Sequence, residues 1–527
     1  MTGYKTAIAV CAMAGLMAAI SGCNGVKEMS NKSSDITYAG DGIYPMQCDD
    51  TLTVWSASLG NGDLEKLPLG EEWKKQTGVN VEFIQPMSGA QEALSILTAS
   101  GDLPDIMIAG LYNEPGGIQK YADEDIIIPI TEYMEEYAPS YTKIVNDNPD
   151  VKKQITSDNG EIYAFTNIAA GEVADATSGI AVRKDMLDKA GLDVPETIDE
   201  WHTALTAFKE QGASAPLSYD LMYWERYAGV FTGAYGVKAD FYLDDNGKVK
   251  YGILEPEMRE AVATLAGWYK EGLIDQNIVK IADLDANILN SETGATCTWS
   301  GGGIGKYMNA MKDKNPEFNL VPARYPVLNK GDKPKFGSRG FKTNTYNNGF
   351  ITTECKNVEL AMRFLDFGYT EAGHMLFNFG KEGESYTMVD GYPTYTDEIL
   401  NNPEGLSISE AMKKYIFASS SAPFVADAAY LEQYYQYPQQ KQALEVWGHT
   451  TAPSNTIPLV SFTDEEGTKV NSIMSNVETA VDEMMYKFIM GIEPIDNYDS
   501  MVNTIKGFGI DEAIEIYQTA VGRYNAR

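Results

Sequence analysis

The stretch "VNVEFIQPMSGAQEALSILTASGDLPDIMIA", residues 79–109, decides the fold class. "VNVEFIQ" alternates apolar and polar side chains and predicts a strand, "AQEALSILTASG" predicts a helix that ends at Gly101, and "PDIMIA" is typical of a buried strand. Upstream, residues 52–58 predict another strand, followed by a helix that ends at Gly78. Alternating strands and helices predict an α/β fold with a parallel sheet, whose ligands bind beyond the carboxyl ends of the strands.

A second α/β block follows in the next part of the chain. "GIAVRKDML" predicts a strand, and Thr197 predicts the start of a helix whose inner face carries Trp201 and Phe208. "GATCTWSGGGIGKYMNAM" predicts a strand, a tight glycine-rich turn and a helix, and "NNGFITT" predicts a later strand. A chain of 527 residues has enough length for two domains with substantial cores.

The N-terminus carries an apolar run over residues 6–20, which is too short to span a membrane. Ile20-Ser21-Gly22-Cys23 resembles the bacterial lipobox, in which the cysteine becomes the first residue and carries lipid. We therefore expect a signal peptide over residues 1–22, a lipid anchor on Cys23 and a flexible polar tether over residues 23–47. The alternative is an ordinary cleaved secretion signal with an incidental cysteine.

Composition excludes several classes of partner. The formal net charge of −34 repels nucleic-acid phosphates and anionic lipid headgroups, so we expect no nucleic-acid partner and no membrane contact beyond the anchor. Cys48, Cys297 and Cys355 lie too far apart in sequence to predict a disulfide framework. The chain has no CxxC motif and only three isolated histidines, so neither a metal nor a cofactor is expected.

Motifs that suggest catalysis fail on inspection. "SGGGIGKY" lacks the first glycine of a phosphate-binding loop, and Tyr307 follows its lysine where Ser or Thr is required. "YLDDNGKVKYGI" has Tyr242 and Ile253 at the end positions of a calcium loop, so it predicts a hairpin turn. No GxSxG or HExxH motif occurs. No catalytic residue is predicted, although a carboxylate pair for glycoside hydrolysis stays open among 75 acidic residues.

Segments spread over nearly the whole chain carry a family resemblance. They are "ASGDLPDIMIA", "DNGEIYAFT", "IAVRKDMLDKAGLDVPETIDEW", "LAGWYKEGLID", "NVELAMRFLDFGYTEAGHMLFNFGKEG" and "MMYKFIMGIEPIDNYDSMVNTIKGFGIDEAIEIYQTAVGRYNA". With these segments and the lipobox, the chain resembles the family 1 extracellular solute-binding proteins. The resemblance is to their large lipoprotein branch, which serves ABC importers of oligosaccharides in Gram-positive bacteria.

The resemblance implies a monomer with two α/β lobes that close on a ligand about hinge strands. We expect the chain to cross between the lobes near residues 164–180 and return near residues 341–349. Lobe 1 then comprises residues 48–165 and 341–400, and lobe 2 comprises residues 166–340 and 401–527. We expect the protein to lie at the extracellular face of the cell membrane, with the permease subunits of an ABC transporter as its partner.

A sugar cleft needs aromatic rings for stacking, interleaved with polar side chains. Trp73, Trp201 and Trp268 lie on apolar helix faces and predict core positions. Trp224, placed in a loop by "SYDLMYWERY", and Trp299, which ends a strand, are the main candidates to stack on sugar. The remaining candidate ligand-binding residues are Tyr112, Asn113, Glu114, Asp220, Tyr223, Trp55, Tyr392 and Arg339. For Trp55, which lies in a predicted strand, the alternative is a core position. Arg339 is a candidate to contact an acidic sugar, and its alternative is a solvated loop charge.

The leading hypothesis is a lipid-anchored receptor that captures an oligosaccharide and delivers it to a permease without catalysing a reaction. Two alternatives stay open: a surface glycan-degrading enzyme, and a receptor of the same fold for a peptide or other non-sugar ligand. Incubation with glycans followed by product analysis separates the enzyme from the receptors.

Overall fold

The computed structural model describes residues 35–39, 42–56, 64–86, 89–113, 117–169, 176–338, 343–345, 347–417 and 422–527. Within this part of the chain, every helix is too short or too polar to cross a bilayer. The strands are β1 (Thr37–Tyr38), β2 (Met46–Gln47), β3 (Thr51–Ser56), β4 (Asn80–Ile84), β5 (Ile106–Ala109), β6 (Ala164–Phe165), β7 (Ser178–Arg183), β8 (Phe241–Leu243), β9 (Val249–Tyr251), β10 (Ala295–Trp299), β11 (Leu320–Pro322), β12 (Asn348–Ile351), β13 (Tyr386–Val389) and β14 (Tyr392–Tyr395).

Helices surround these strands throughout the chain. They are α1 (Pro68–Thr77), α2 (Ala90–Ser100), α3 (Gly117–Asp123), α4 (Met134–Tyr137), α5 (Pro139–Asp147), α6 (Pro149–Ile155), α7 (Lys184–Ala190), α8 (Ile198–Glu210), α9 (Leu221–Tyr227), α10 (Pro256–Lys270), α11 (Leu284–Leu289), α12 (Lys306–Met311), α13 (Val358–Asp366), α14 (Glu371–Phe379), α15 (Asp397–Leu400), α16 (Ile408–Tyr415), α17 (Ala428–Tyr434), α18 (Pro438–Gly448), α19 (Ala452–Asn455), α20 (Asp464–Ile489), α21 (Tyr498–Gly507) and α22 (Ile510–Ala526).

Two main sheets organise the chain into two lobes. The first has strand order β4-β3-β5-β12-β6, and the second has strand order β10-β7-β11. β3 pairs in parallel with both β4 and β5, as the alternating pattern predicts. In the second sheet, β7 pairs antiparallel with β10 and β11. The predicted α/β class is therefore confirmed, with parallel pairing concentrated in the first lobe.

The core of the first lobe extends further along the chain than the sequence predicts. Trp73 stacks on Phe364 at 4.3 Å and meets Phe417 edge-on at 5.5 Å. Phe424 and Ala426 are buried in the same cluster. The predicted lobe boundary at residue 400 is thus wrong, because these aromatic side chains complete the core under α1 and α14.

The second lobe confirms several local predictions. Thr197 starts α8 with a capping box in which its side chain accepts from the Glu200 N–H and the Glu200 side chain accepts from the Thr197 N–H. Trp201 and Trp268 are buried in this core, as Trp73 is in the first. The residues 242–253 form the expected hairpin, β8 paired with β9. These features depend on neighbouring residues, which is why sequence reasoning finds them.

A buried carboxyl group anchors α5 in the first lobe. Asp366 accepts a hydrogen bond from the Tyr141 N–H at 2.7 Å and a longer one from the Ser140 N–H at 3.4 Å. Both donors belong to the first turn of α5, whose N–H groups have no partner within the helix. Burial is the main cause that raises the pKa of Asp366 to about 6, because it disfavours the charged form.

The C-terminal helix α22 links the second lobe to the first. Asp158, in the turn before β6, accepts from Arg523 Nε at 2.5 Å and from an Arg527 guanidinium nitrogen at 2.5 Å. Arg523 also pairs with Glu466 at the start of α20, at 2.6 Å. These ion pairs, which we call the Asp158 clasp, hold the end of α22 against the segment that leads into β6.

Candidate functional site: an aromatic platform beside the lobe crossings

In each of the two main sheets, the strand ends along one edge lie next to the segments that connect the sheets. In the first sheet, Asn348 pairs with Ala109, so the start of β12 lies beside the end of β5. In the second sheet, Trp299 pairs with Ser178, so the end of β10 lies beside the start of β7. The connections from β6 to β7 and from β11 to β12 each join a strand of one sheet to a strand of the other at these edges. The edges therefore border the space between the lobes, where ligands of such folds bind.

Backbone hydrogen bonds tie the crossing segments together. The Ile168 N–H donates to Phe424 O at 2.9 Å, and the Ala426 N–H donates to Ile168 O at 2.9 Å. The Asn344 N–H donates to Asn167 O, also at 2.9 Å. Ile168 thus forms β-bridges with two other chain segments, at Val425 and at Thr343, at the base of the first lobe. Such a bridge gives the lobes a defined point about which a hinge motion can occur.

Three exposed aromatic side chains lie at the edge of the second sheet. Tyr223 and Tyr227 are stacked one helical turn apart on α9, with ring centroids 5.7 Å apart and planes 14° apart. Trp299 lies at the end of β10, 6.3 Å from the Tyr223 ring. Trp299 and Tyr223 are each 44% exposed and Tyr227 is 39% exposed. We call these three residues the aromatic platform.

Trp224 supports the platform from beneath. The sequence prediction that Trp224 is an exposed loop residue is wrong: it belongs to α9 and is 3% exposed. Asp220 starts the helix by accepting from the Tyr223 N–H at 3.2 Å, and helical periodicity then turns Trp224 inward while Tyr223 and Tyr227 share the outer face. The Trp224 ring contacts that of Trp299 at 5.1 Å.

A network of buried hydroxyl groups supports the platform next to Tyr227. The Tyr227 hydroxyl lies 3.3 Å from Ser338 Oγ, which accepts from Ser178 Oγ at 2.8 Å. Tyr325 OH donates to Ser178 O at 2.9 Å and accepts from the Ser338 N–H at 2.8 Å. This network fixes the start of β7 and holds the hydroxyl of the half-exposed Tyr227 in place beside the platform.

A π-helical turn, Ser300–Gly305, positions Trp299 and replaces the predicted tight turn. Ser300 Oγ donates to Gln440 O at 2.9 Å, which ties the turn to α18. A Cβ atom at Gly303 would lie 1.7 Å from Thr298 Oγ1, whereas one at Gly302 would meet no atom within 4 Å. The turn therefore requires glycine at position 303 because the β10 side chains approach its backbone closely.

Comparison with known proteins identifies the family. The family model described as bacterial extracellular solute-binding protein matches residues 56–375, more than half of the chain. The chain belongs to this family. The match confirms the resemblance found in the sequence. In this solute-binding protein, the platform lies within the matched residues.

Relatives and solved structures agree with this assignment. The chain is 22% identical to the fructooligosaccharide ABC transporter substrate-binding protein FusA of Streptococcus pneumoniae, over 94% of this chain and 95% of that protein. It is 22% identical to lipoprotein LipO of Bacillus subtilis, over 90% of each. The structure of S. pneumoniae FusA in complex with kestose matches with a TM-score of 0.73 at 21% identity, covering 90% of this chain and 100% of that one. The two-lobed fold is therefore shared.

The candidates in the first lobe of the solute-binding protein have mixed outcomes. Trp55 is buried at 4% exposure, so its prediction as a ligand contact is wrong and its alternative core role holds. Tyr112 follows β5 and is half-buried, and its hydroxyl makes no hydrogen bond to the described part of the chain. Burial raises the pKa of Tyr112 well above its ordinary value. Asn113 ends the short turn Leu111–Asn113.

Tyr392 lies on the β13–β14 hairpin, which packs on α15 and α17. Its hydroxyl donates to the Glu432 carboxylate at 2.8 Å. Burial is the largest cause that raises the pKa of Tyr392 to about 12, and the Glu432 carboxylate is the next largest. The structure therefore gives the Tyr392 hydroxyl a partner on α17. Glu114, Arg339 and Cys23 lie outside the described residues.

The acidic, cysteine and histidine side chains of the described part of the chain do not gather into a metal site. No group of three or more His, Cys, Asp or Glu side chains there could hold a metal ion. His202 pairs with Glu271 at 2.8 Å, and His374 pairs with Asp427 at 2.9 Å and lies 3.3 Å from the Asn378 side-chain nitrogen. At the platform, the structure brings together aromatic and hydroxyl side chains.

Tyr227 and Ser338 belong to the site although sequence reasoning missed them. The signal for Tyr227 was its position four residues after Tyr223, since residues at i and i+4 share a helix face. Interpretation of this segment as a loop concealed that spacing. Ser338 had no local signal, because a pairing far along the chain brings it to Ser178.

Proposed function

We propose that this solute-binding protein captures an oligosaccharide between its lobes and delivers it to the permease of an ABC importer. The observation that carries the proposal is the aromatic platform at a sheet edge that borders the lobe crossings. Aromatic faces stack on the apolar faces of sugar rings, and the hydroxyl of the half-exposed Tyr227, 3.3 Å from Ser338 Oγ, can bond to a sugar hydroxyl. The likeness to FusA, a fructooligosaccharide ABC transporter substrate-binding protein, supports the choice of ligand class.

Truncation of the platform tests this function. A panel of purified neutral and uronate-containing oligosaccharides is first screened by thermal shift, since a ligand stabilises the native state. Calorimetric titration of Trp299→Ala should then show a loss of about 2 kcal/mol in binding, the scale of an interface hot spot. The matched control is Phe508→Ala, which removes a similarly exposed ring (41%) after α21.

The proposal fails if no oligosaccharide in the panel binds, or if Trp299→Ala and Phe508→Ala bind equally well. We also propose that the bound glycan is released unchanged, because capture and handover are the function of the site. Mass spectrometry of glycans incubated with the protein checks this point. Shortened products would favour the glycan-degrading enzyme instead.

Binding should close the lobes about the bridge at Ile168. A ligand with higher affinity for the closed state shifts the population toward it. Small-angle scattering should give a monomer whose radius of gyration falls when the glycan is added, while Trp299→Ala with the same glycan keeps the larger radius. An unchanged radius for the saturated wild type would refute closure as the mode of capture.

We propose further that the mature protein is anchored at the outer face of the cell membrane by lipid on Cys23. The lipobox-like residues 20–23 support this proposal, as does the likeness to lipoprotein LipO. Cells fed a fatty-acid analogue should label the wild type and Cys48→Ser but not Cys23→Ser. Label retained on Cys23→Ser would overturn the assignment.

A further inference from the structure

A pocket adjoins the aromatic platform on the outer side of α9. It has a volume of about 430 Å³ and lies between α9, the residues before β8, and α20. Tyr223 and Tyr227 line it, and Tyr486 contributes a third aromatic ring. We call it the side pocket. Because the two tyrosines belong to both the platform and the pocket, a chain of sugar units on the platform can continue into the pocket without leaving an aromatic surface.

The side pocket carries an excess of negative charge. Arg226 forms a two-pronged ion pair with Asp482, with nitrogen–oxygen distances of 2.5 and 3.3 Å. Asp240 lies 4.0 Å from Lys238 Nζ, at the limit of an ion pair. Asp220, which also lines the pocket, is exposed at the start of α9.

The negative charge of the pocket acts on Glu478, which lies nearby on α20. Burial and the nearby Asp240 and Asp482 carboxylates raise its pKa against the opposing effect of Arg226. In the pocket lining, one cation, Arg226, therefore lies beside three carboxyl groups, those of Asp220, Asp240 and Asp482. A further carboxylate brought into the pocket would meet like charges, which costs binding free energy, whereas sugar hydroxyls can donate hydrogen bonds to these oxygens.

We propose that the side pocket binds a further unit of the oligosaccharide held on the platform, and that its carboxylates restrict this unit to a sugar without a carboxylate. The inference rests on the proposed function, since it assigns a second subsite to the same bound chain. It names the substrate class as a neutral oligosaccharide that extends beyond the platform rings.

The test compares chain length and charge in calorimetric titrations of the whole protein. The probes are fructans of three to five units, malto-oligosaccharides of three to five units, and oligogalacturonates of the same lengths. We expect a neutral series to gain at least tenfold in affinity from three to five units, and the oligogalacturonates to bind at least tenfold more weakly at each length.

Variants of the pocket carboxylates assign the effect to its site. Asp240→Asn and Asp482→Asn should each improve oligogalacturonate binding several-fold and leave the neutral trisaccharide within twofold. Asp496→Asn, the matched control, breaks another Arg–Asp pair of this lobe, with Arg259 at 2.9 Å, and should change neither. Asp240 is outside the Arg226 pair, so its variant stays informative if Asp482→Asn unfolds.

Each outcome separates the two proposals. If a neutral trisaccharide binds and Trp299→Ala weakens it, but chain length and the pocket variants have no effect, the side pocket is overturned and the platform stands. Tighter binding of oligogalacturonates than of neutral chains also overturns the pocket. If no probe binds the wild type, the proposed function fails and this inference fails with it.

Discussion

Replacement of Trp224 by alanine should destabilise the apo protein far more than replacement of its neighbour Trp299. Trp224 is 3% exposed, and its ring lies 5.1, 5.4 and 5.9 Å from those of Trp299, Tyr223 and Tyr227. Removal of a fully buried tryptophan side chain costs about 3–5 kcal/mol, because burial is lost and a cavity is left. Trp299 is 44% exposed, so its replacement should cost about 1 kcal/mol.

Differential scanning calorimetry of the two apo variants measures the difference. For a lobe of this size, a loss of 1 kcal/mol lowers the melting temperature by about 2–4 °C, so Trp224→Ala should melt about 10 °C below the wild type. Trp299→Ala should melt within about 4 °C of it. Trp224→Phe, which refills part of the cavity, should fall between them. A Trp224→Ala protein that melts with the wild type would refute the placement of this ring beneath the platform.

Three further predictions concern the supports of the site. Gly303→Ala should cost about 1–3 kcal/mol in stability and weaken glycan binding by displacing Trp299. Gly302→Ala should change neither stability nor binding, because a Cβ atom there meets no other atom within 4 Å. Equal melting temperatures and equal affinities for the two variants would contradict the close packing of the turn. Because the pKa of Asp366 is raised to about 6, its protonated side chain stabilises the native state at low pH, and this stabilisation is lost as pH rises through 6. From pH 7 to pH 5, the free energy of unfolding of the wild type in urea should therefore rise by about 1 kcal/mol relative to that of Asp366→Asn. Parallel pH profiles of the two proteins would refute this prediction. Asp158→Asn should release the end of α22 and speed its limited proteolysis. Asp147→Asn, the control, removes only the exposed ion pair with Lys143 and should leave the cleavage rate unchanged. Equal cleavage rates for the two variants would show that the clasp is dispensable.

The sequence alone determined the features that depend on neighbouring residues. The alternation in residues 79–109 predicts β4, α2 and β5, and Thr197 predicts the start of α8 through its capping box. Motifs spread along the chain gave the family and therefore the two-lobed architecture. These features were accessible because periodicity, caps and turns are local, and their free energies act within a few residues of chain.

Only the tertiary structure decided which aromatic residues form the site. The register that places Trp299 opposite Ser178 depends on strands more than a hundred residues apart, and it brings the end of β10 beside α9. The crowding of aromatic and charged residues in "SYDLMYWERY" suggested an exposed loop, yet the N-cap at Asp220 makes it a helix, and packing then buries Trp224 and exposes Tyr223 and Tyr227. A local pattern states which side chains share a face, but the identity of the buried face is set by the distant elements that pack against it.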